Sequence, residues 1–167
     1  MKIMKYKKAK QNTYIITIDM KDYTLYDDII IKYELLLKKN IKEEMLNNIL
    51  KENKALESYY VALMYLTKSE RCKSEIEAYL KKKGYSIVSI NETVNRLTKE
   101  GYLNEQNYVS HFLHDEIALT MNGPEKIKKR LIQLNINEYI INDTLNKIEK
   151  EVWQEKITKI INKKIST

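Results

Sequence analysis

A chain of 167 residues that is 43% apolar and 32% charged, with three Gly and one Pro, describes a folded and mainly helical protein. It argues against a sandwich or barrel, whose many turns need more of both residues. The net charge of +7, from 27 Lys and three Arg (Arg71, Arg96, Arg130) against 23 acidic residues, favours polyanionic partners through counterion release, without sequence reading.

The sequence has no apolar run of about 18 residues, so no membrane span is expected. Its start, Met1-Lys2-Ile3-Met4-Lys5, lacks the apolar core of a signal peptide. Cys72 stands alone, which excludes an internal disulfide and a cysteine-based metal site and makes a cytoplasmic location the expectation. Charge is uneven: residues 1–54 carry twelve basic against eight acidic groups, whereas residues 103–150 carry six against seven.

In chain order, Tyr14-Ile15-Ile16-Thr17-Ile18 and Asp22-Tyr23-Thr24-Leu25-Tyr26 are rich in β-branched and aromatic residues. The polar Asp19-Met20-Lys21 between them predicts a short hairpin. A hairpin alone is marginal and needs support. Ile29, Tyr33, Leu36 and Leu37 supply it at helical spacing, with Asn40 as a left-handed stop. A short helix from Lys42 to about Lys51 presents Met45, Leu46, Ile49 and Leu50.

From Ala55 the pattern becomes repetitive. Leu56, Tyr59, Tyr60, Leu63 and Leu66 form one apolar helix face, and a polar stretch, Thr67 to Lys73, follows. Ser74 with Glu77, and Ser89 with Glu92, have capping-box spacing and predict two more helix starts. Gly84 and Gly101 supply the stops. A second unit opens at Asn104, a good cap, with Tyr108, Phe112 and Leu119 as its stripe. Pro124 suits a first helical position; Ile127, Leu131 and Leu134 follow to a stop near Asn135. Asn137 caps a last helix bearing Ile141, Leu145 and Ile148. Helical periodicity then resumes from Glu151 through Val152, Trp153, Ile157, Ile160 and Ile161.

The two units are related. Tyr60-Val61 returns as Tyr108-Val109 forty-eight positions on, and Ile76, Leu80, Val94 and Leu97 find counterparts at Ile127, Leu131, Leu145 and Ile148, fifty-one positions on. The expected fold is mainly α: tandem three-helix repeats in an elongated array, with a short N-terminal β-hairpin. The expected divisions are an extension over 1–54, repeats over 55–102 and 103–150, and the first helix of a third repeat over 151–167.

Ala62-Leu63-Met64-Tyr65-Leu66, Arg71-Cys72-Lys73-Ser74-Glu75-Ile76, Lys83-Gly84-Tyr85 and Leu97-Thr98-Lys99-Glu100-Gly101-Tyr102-Leu103-Asn104 follow one another in an order and spacing that resembles the RecX family of bacterial regulatory proteins. Tyr108-Val109 and Gly123-Pro124-Glu125-Lys126-Ile127 continue it in the second unit, so that the resemblance spans roughly residues 55–150. It implies a monomer that lies in the groove of a RecA filament on single-stranded DNA and restrains strand exchange, with no cofactor and no bond chemistry. Glu105 stands where the family often has Asp, and Asn135 where it has Gly.

Among candidate binding residues, Lys68, Arg71 and Lys73 cluster before the second helix of the first unit, and Lys81, Lys82 and Lys83 crowd its end. Lys126, Lys128, Lys129 and Arg130 occupy the equivalent helix of the second unit. These ten are the expected contacts to filament phosphates or acidic RecA surface. Solvated helix faces, and for Lys81–Lys83 the helix dipole, are the competing explanations. The alternative function is a general, salt-sensitive DNA-binding helical module. No P-loop, dinucleotide turn or other catalytic motif occurs. His111 and His114 are read as ordinary surface or packed residues rather than metal ligands, and Cys72 as a plain small residue rather than a thiol activated by Arg71 and Lys73.

Overall fold

The computed structural model describes residues 1–10 and 12–165. Strands β1 (Ile3–Lys10), β2 (Thr13–Ile18) and β3 (Lys21–Tyr26) form an antiparallel sheet in that order. Helices α1 (Asp27–Lys32), α2 (Glu43–Leu66), α3 (Lys73–Lys82), α4 (Ile87–Lys99), α5 (Glu105–Leu119), α6 (Pro124–Gln133), α7 (Glu138–Asn146) and α8 (Lys150–Ile165) follow, with one 3-10 turn at Leu35–Leu37. The chain divides into two compact units, the first made of Met1–Tyr65 and Leu80–Asn95, the second of Leu66–Tyr79 and the chain from Arg96 onward.

The first unit contains the expected hairpin. Ile18 pairs with Lys21, and Asp19 and Met20 between them take φ of 44° and 66°, the left-handed pair that matches strand twist in a two-residue turn. Ile16, Ile18 and Leu25 are fully buried. The sheet has a third strand, β1, beyond the expected hairpin. In β1 only Ile3 is buried, and a lysine-rich edge strand shows no apolar alternation for a pattern reading to find.

The segment after β3 also differs. In place of one helix to Asn40, α1 ends at Lys32, Glu34 takes φ 50° and the chain turns. The turn buries Leu35 completely and leaves Leu36 and Leu37 at 59% and 83% exposure. Asn40 is no left-handed stop; it bridges to Lys2. The helices expected at 42–51 and from Ala55 are one helix, α2, because nothing between them breaks a helix. Asn53 is occupied elsewhere: its side chain accepts from the Tyr26 amide at 2.9 Å and donates to the Thr24 carbonyl at 3.1 Å, tying α2 to β3. Tyr60 stacks on Tyr26 at 4.9 Å and bonds Asp28. Deeper in this unit Ser58, fully buried, lies 2.6 Å from the Thr93 hydroxyl and also reaches the Ala55 carbonyl, so its polar atom is satisfied.

The fifty-one-residue spacing extends to helix boundaries: α6 starts and ends that far beyond α3, and α7 starts that far beyond α4. Gly84 (φ 86°) and Asn135 (φ 57°) hold the same left-handed position after α3 and α6, a geometry open to Gly and tolerable to Asn. Two expected caps shift by up to one turn. At α3 Glu75 accepts the Cys72 amide at 2.9 Å, while Ser74 donates to the Leu134 carbonyl at 2.6 Å. At α4 Ser86, not Ser89, accepts the Ser89 amide at 3.2 Å, because the helix begins at Ile87.

Asn104 and Asn137 cap α5 and α7 as expected, accepting the Asn107 amide at 3.0 Å and the Tyr139 amide at 2.8 Å. Asn104→Ala should cost about 1 kcal/mol, read as a lower urea midpoint. The core of the second unit joins Cys72, Tyr108, Val109, Leu113, Ile127, Leu131, Ile136 and Ile141. Leu119, expected on the stripe of α5, is 81% exposed at the last position of the helix. Trp153 of α8 packs against this core.

Candidate functional site

The ten basic residues singled out above fall into two groups. The compact units cut across the first repeat: Lys81, Lys82 and Lys83 belong to the first compact unit, and Lys68, Arg71, Lys73, Lys126, Lys128, Lys129 and Arg130 to the second. Lys81 and Lys82 form the last turn of α3, where cations complement the helix dipole. On α6, Ile127 and Leu131 are fully buried, which turns Lys126, Lys129 and Arg130 outward at i, i+3 and i+4 spacing.

Not all of these cations are equally available. Arg71 meets Glu75 at 3.1 Å with its side chain only 29% exposed. Glu75 also accepts from the Cys72 amide and from the Tyr108 hydroxyl at 3.2 Å. Arg71 is therefore part of the start of α3. Arg130 pairs with Glu116 and stacks over Phe112 at 5.1 Å, and Lys128 lies 4.0 Å from Glu138. Lys68, Lys73, Lys126 and Lys129 are exposed.

Cys72 is 2% exposed, and burial pushes its thiol above the ordinary value, with the Ser74 bond opposing. This agrees with the reading of Cys72 as a plain small residue rather than an activated thiol. His111 contacts Glu70 at 2.7 Å and His114 contacts Asp115 at 3.4 Å, all four exposed. Among the described residues no three His, Cys, Asp or Glu side chains group to hold a metal ion, and no helix is long and apolar enough to cross a membrane.

One polar cluster has no signature in the sequence. Glu116, 6% exposed on α5, accepts from Asn122 at 2.7 Å, from Thr120 at 3.0 Å and from Arg130. Its backbone carbonyl accepts the Lys156 ammonium of α8 at 2.5 Å. Burial opposes ionisation of Glu116, but the Asn122, Thr120 and Arg130 donors outweigh it and hold the carboxyl below its ordinary value. Desolvation lowers Lys156, with Glu116 opposing. Such charges are buried only when paired, and the partners come from three separate segments, so spacing could not reveal them. Beside this cluster Leu113, Ile117, Ala118, Ile148 and Val152 form the apolar half of the lining of a groove of about 560 Å³.

Fold and surface together define a helical repeat protein with basic outer helix faces and an N-terminal sheet. A family profile described as "RecX, first three-helix domain" matches residues 59–97. A Bacillus cereus regulatory protein RecX is 30% identical over 164 residues, and its Bacillus cytotoxicus counterpart 28%; each alignment covers 97% of this chain and 61% of the relative. A crystal structure of regulatory protein RecX superposes with a TM-score of 0.85 at 23% identity, covering 97% of this chain and 81% of that one. RecX from Lactobacillus salivarius gives 0.62 at 25% identity over 67% and 73% of the two chains. Along 97% of its length the chain is similar to regulatory proteins named RecX, and its residues 59–97 match that family's first three-helix domain. It spans about 61% of the length of the curated relatives it matches.

Proposed function

We propose that the chain is a regulator of RecA recombinase that binds the RecA filament on DNA and inhibits its ATPase and strand exchange. What carries this reading is similarity to regulatory proteins named RecX along 97% of the chain. In this proposal the action is by binding and needs no chemistry on a bond. Lys68, Lys73, Lys126 and Lys129 supply the contact to phosphate or to acidic RecA surface. Arg71 and Arg130 are engaged within the second unit by Glu75 and Glu116, Lys128 lies 4.0 Å from Glu138, and Lys81–Lys83 contribute charge at the end of α3.

The test is RecA's DNA-dependent ATPase with this protein titrated in. Inhibition is expected below one molecule per RecA, and Lys126→Glu with Lys129→Glu should raise the half-inhibitory concentration several-fold while leaving the thermal transition in place. Arg71→Glu is a poor probe, since it would face Glu75 and unfold the start of α3. No inhibition, together with salt-sensitive binding to bare DNA, would favour the general DNA-binding module, which the Lys excess also supports.

A further inference from the structure

We propose that the outward face of the N-terminal sheet, through Lys5, Lys7 and Lys10, tracks the phosphodiester backbone of single-stranded DNA. The register of β1 carries the argument. Lys5, Lys7 and Lys10 pair with Thr17, Ile15 and Thr13, alternate residues of β2, so all three lysines share one face. Ile16 and Ile18, fully buried, mark the other face. A regular strand would set Lys10 with Lys8 on the buried-side face. The irregularity between Lys8 and Lys10 inserts Ala9 as an extra residue and turns Lys10 over, the re-aiming that a bulge performs.

The result is a straight row of cations. Their partners on β2 are two residues apart, a step of about 6.6 Å, to which the phosphates of a drawn-out single strand can be matched. Lys5, Lys7 and Lys10 are exposed and, among the described residues, enter no ion pair, unlike Arg71, Lys128 and Arg130. Two carboxylates lie near. Asp22 shares the face two strands away and accepts from Thr17 at 2.6 Å. Glu57 lines a depression with Lys10 and is held by Lys54 and Tyr85. The row itself is made of lysines, and Tyr26, which shares the depression with Lys10, is stacked on Tyr60, which suits sequence-independent backbone contact.

Lysines on an open edge strand also discourage strand-to-strand association. That purpose is served by a charge on either face, and it does not require the bulge that gathers three on one.

The inference rests on the DNA-binding part of the proposed function and is independent of RecA, because bare DNA is the probe. The affinity of the full chain for fluorescein-labelled oligo-dT is measured against salt. The triple variant Lys5→Gln, Lys7→Gln, Lys10→Gln should reduce the log–log salt slope by about 2, at roughly 0.7 per phosphate on a single strand. Lys8→Gln, same strand and same charge but the opposite face, should leave the slope unchanged, whereas Lys7→Gln alone should lower it. An unchanged slope in the triple variant, or equal effects of Lys7→Gln and Lys8→Gln, overturns the proposal. So does dimerisation of the triple variant by size exclusion with an intact slope, the outcome expected of edge protection. If RecA inhibition is absent while the slope shift is present, the RecA reading fails and this one stands.

Discussion

Leu131→Ala should destabilise the second unit by about 3 kcal/mol. Leu131 is fully buried in α6, within the cluster that includes Tyr108, Val109, Leu113, Ile127 and Ile141. Removing its branched end sacrifices both transfer free energy and packing, because neighbours on three helices collapse only partly into the space. Trp153, the single tryptophan, packs on the same cluster, so its fluorescence reports this unit. With a urea slope of about 1–2 kcal/mol/M, the fluorescence midpoint should fall by about 1.5–3 M. Ile132→Ala, next in sequence but 39% exposed, should shift it far less. A Trp153 transition indifferent to Leu131→Ala would mean that α8 unfolds separately from this core.

Glu116→Ala should cost about 2 kcal/mol, the range for hydrogen bonds to a charged acceptor. Arg130 is 45% exposed and rehydrates when its partner is lost, which keeps the cost below that of breaking a fully buried pair. The loss has a pH signature. The folded carboxyl titrates below its ordinary value of 4.5, so its stabilisation is complete above that pH and disappears as pH falls through the folded value. Wild-type stability should therefore drop below about pH 4.5, and Glu116→Gln should flatten that part of the profile while lowering stability at neutral pH. The Lys156 contact to the Glu116 backbone carbonyl survives both substitutions. A profile with the same acid slope in wild type and Glu116→Gln would assign the acid loss to other carboxylates.

The arginines show where a reading of composition needs geometry. Arg71 and Arg130 look like the strongest phosphate ligands in a lysine-rich chain, since their planar forks suit bidentate contact. In the fold they are matched to Glu75 and Glu116. Among the described residues Lys126 and Lys129 on α6, and Lys5, Lys7 and Lys10 on β1, enter no ion pair, which is why the proposed contacts turn to them.

Local signals in the sequence were enough for the second unit's helices. Asn104, Asn137 and Pro124 act where they stand because caps and first-turn residues satisfy amides within their own turn. Gly84, Gly101 and Asn135 act through their own φ. The repeat was legible because equivalent apolar positions recur forty-eight and then fifty-one residues on. The RecX resemblance was legible for the same reason, as short motifs in a fixed order. Features that depend on another segment were not. The bend at Glu34 follows from which leucine the core accepts, and the join of α2 through Asn53 follows from the edge of β3. Strand β1 belongs to the sheet through backbone hydrogen bonds, which leave no trace in side-chain polarity. Burial of Glu116 and Lys156, and the face on which Lys10 lies, were likewise decided by tertiary structure, because desolvation and strand register depend on what packs alongside, not on neighbours in the chain.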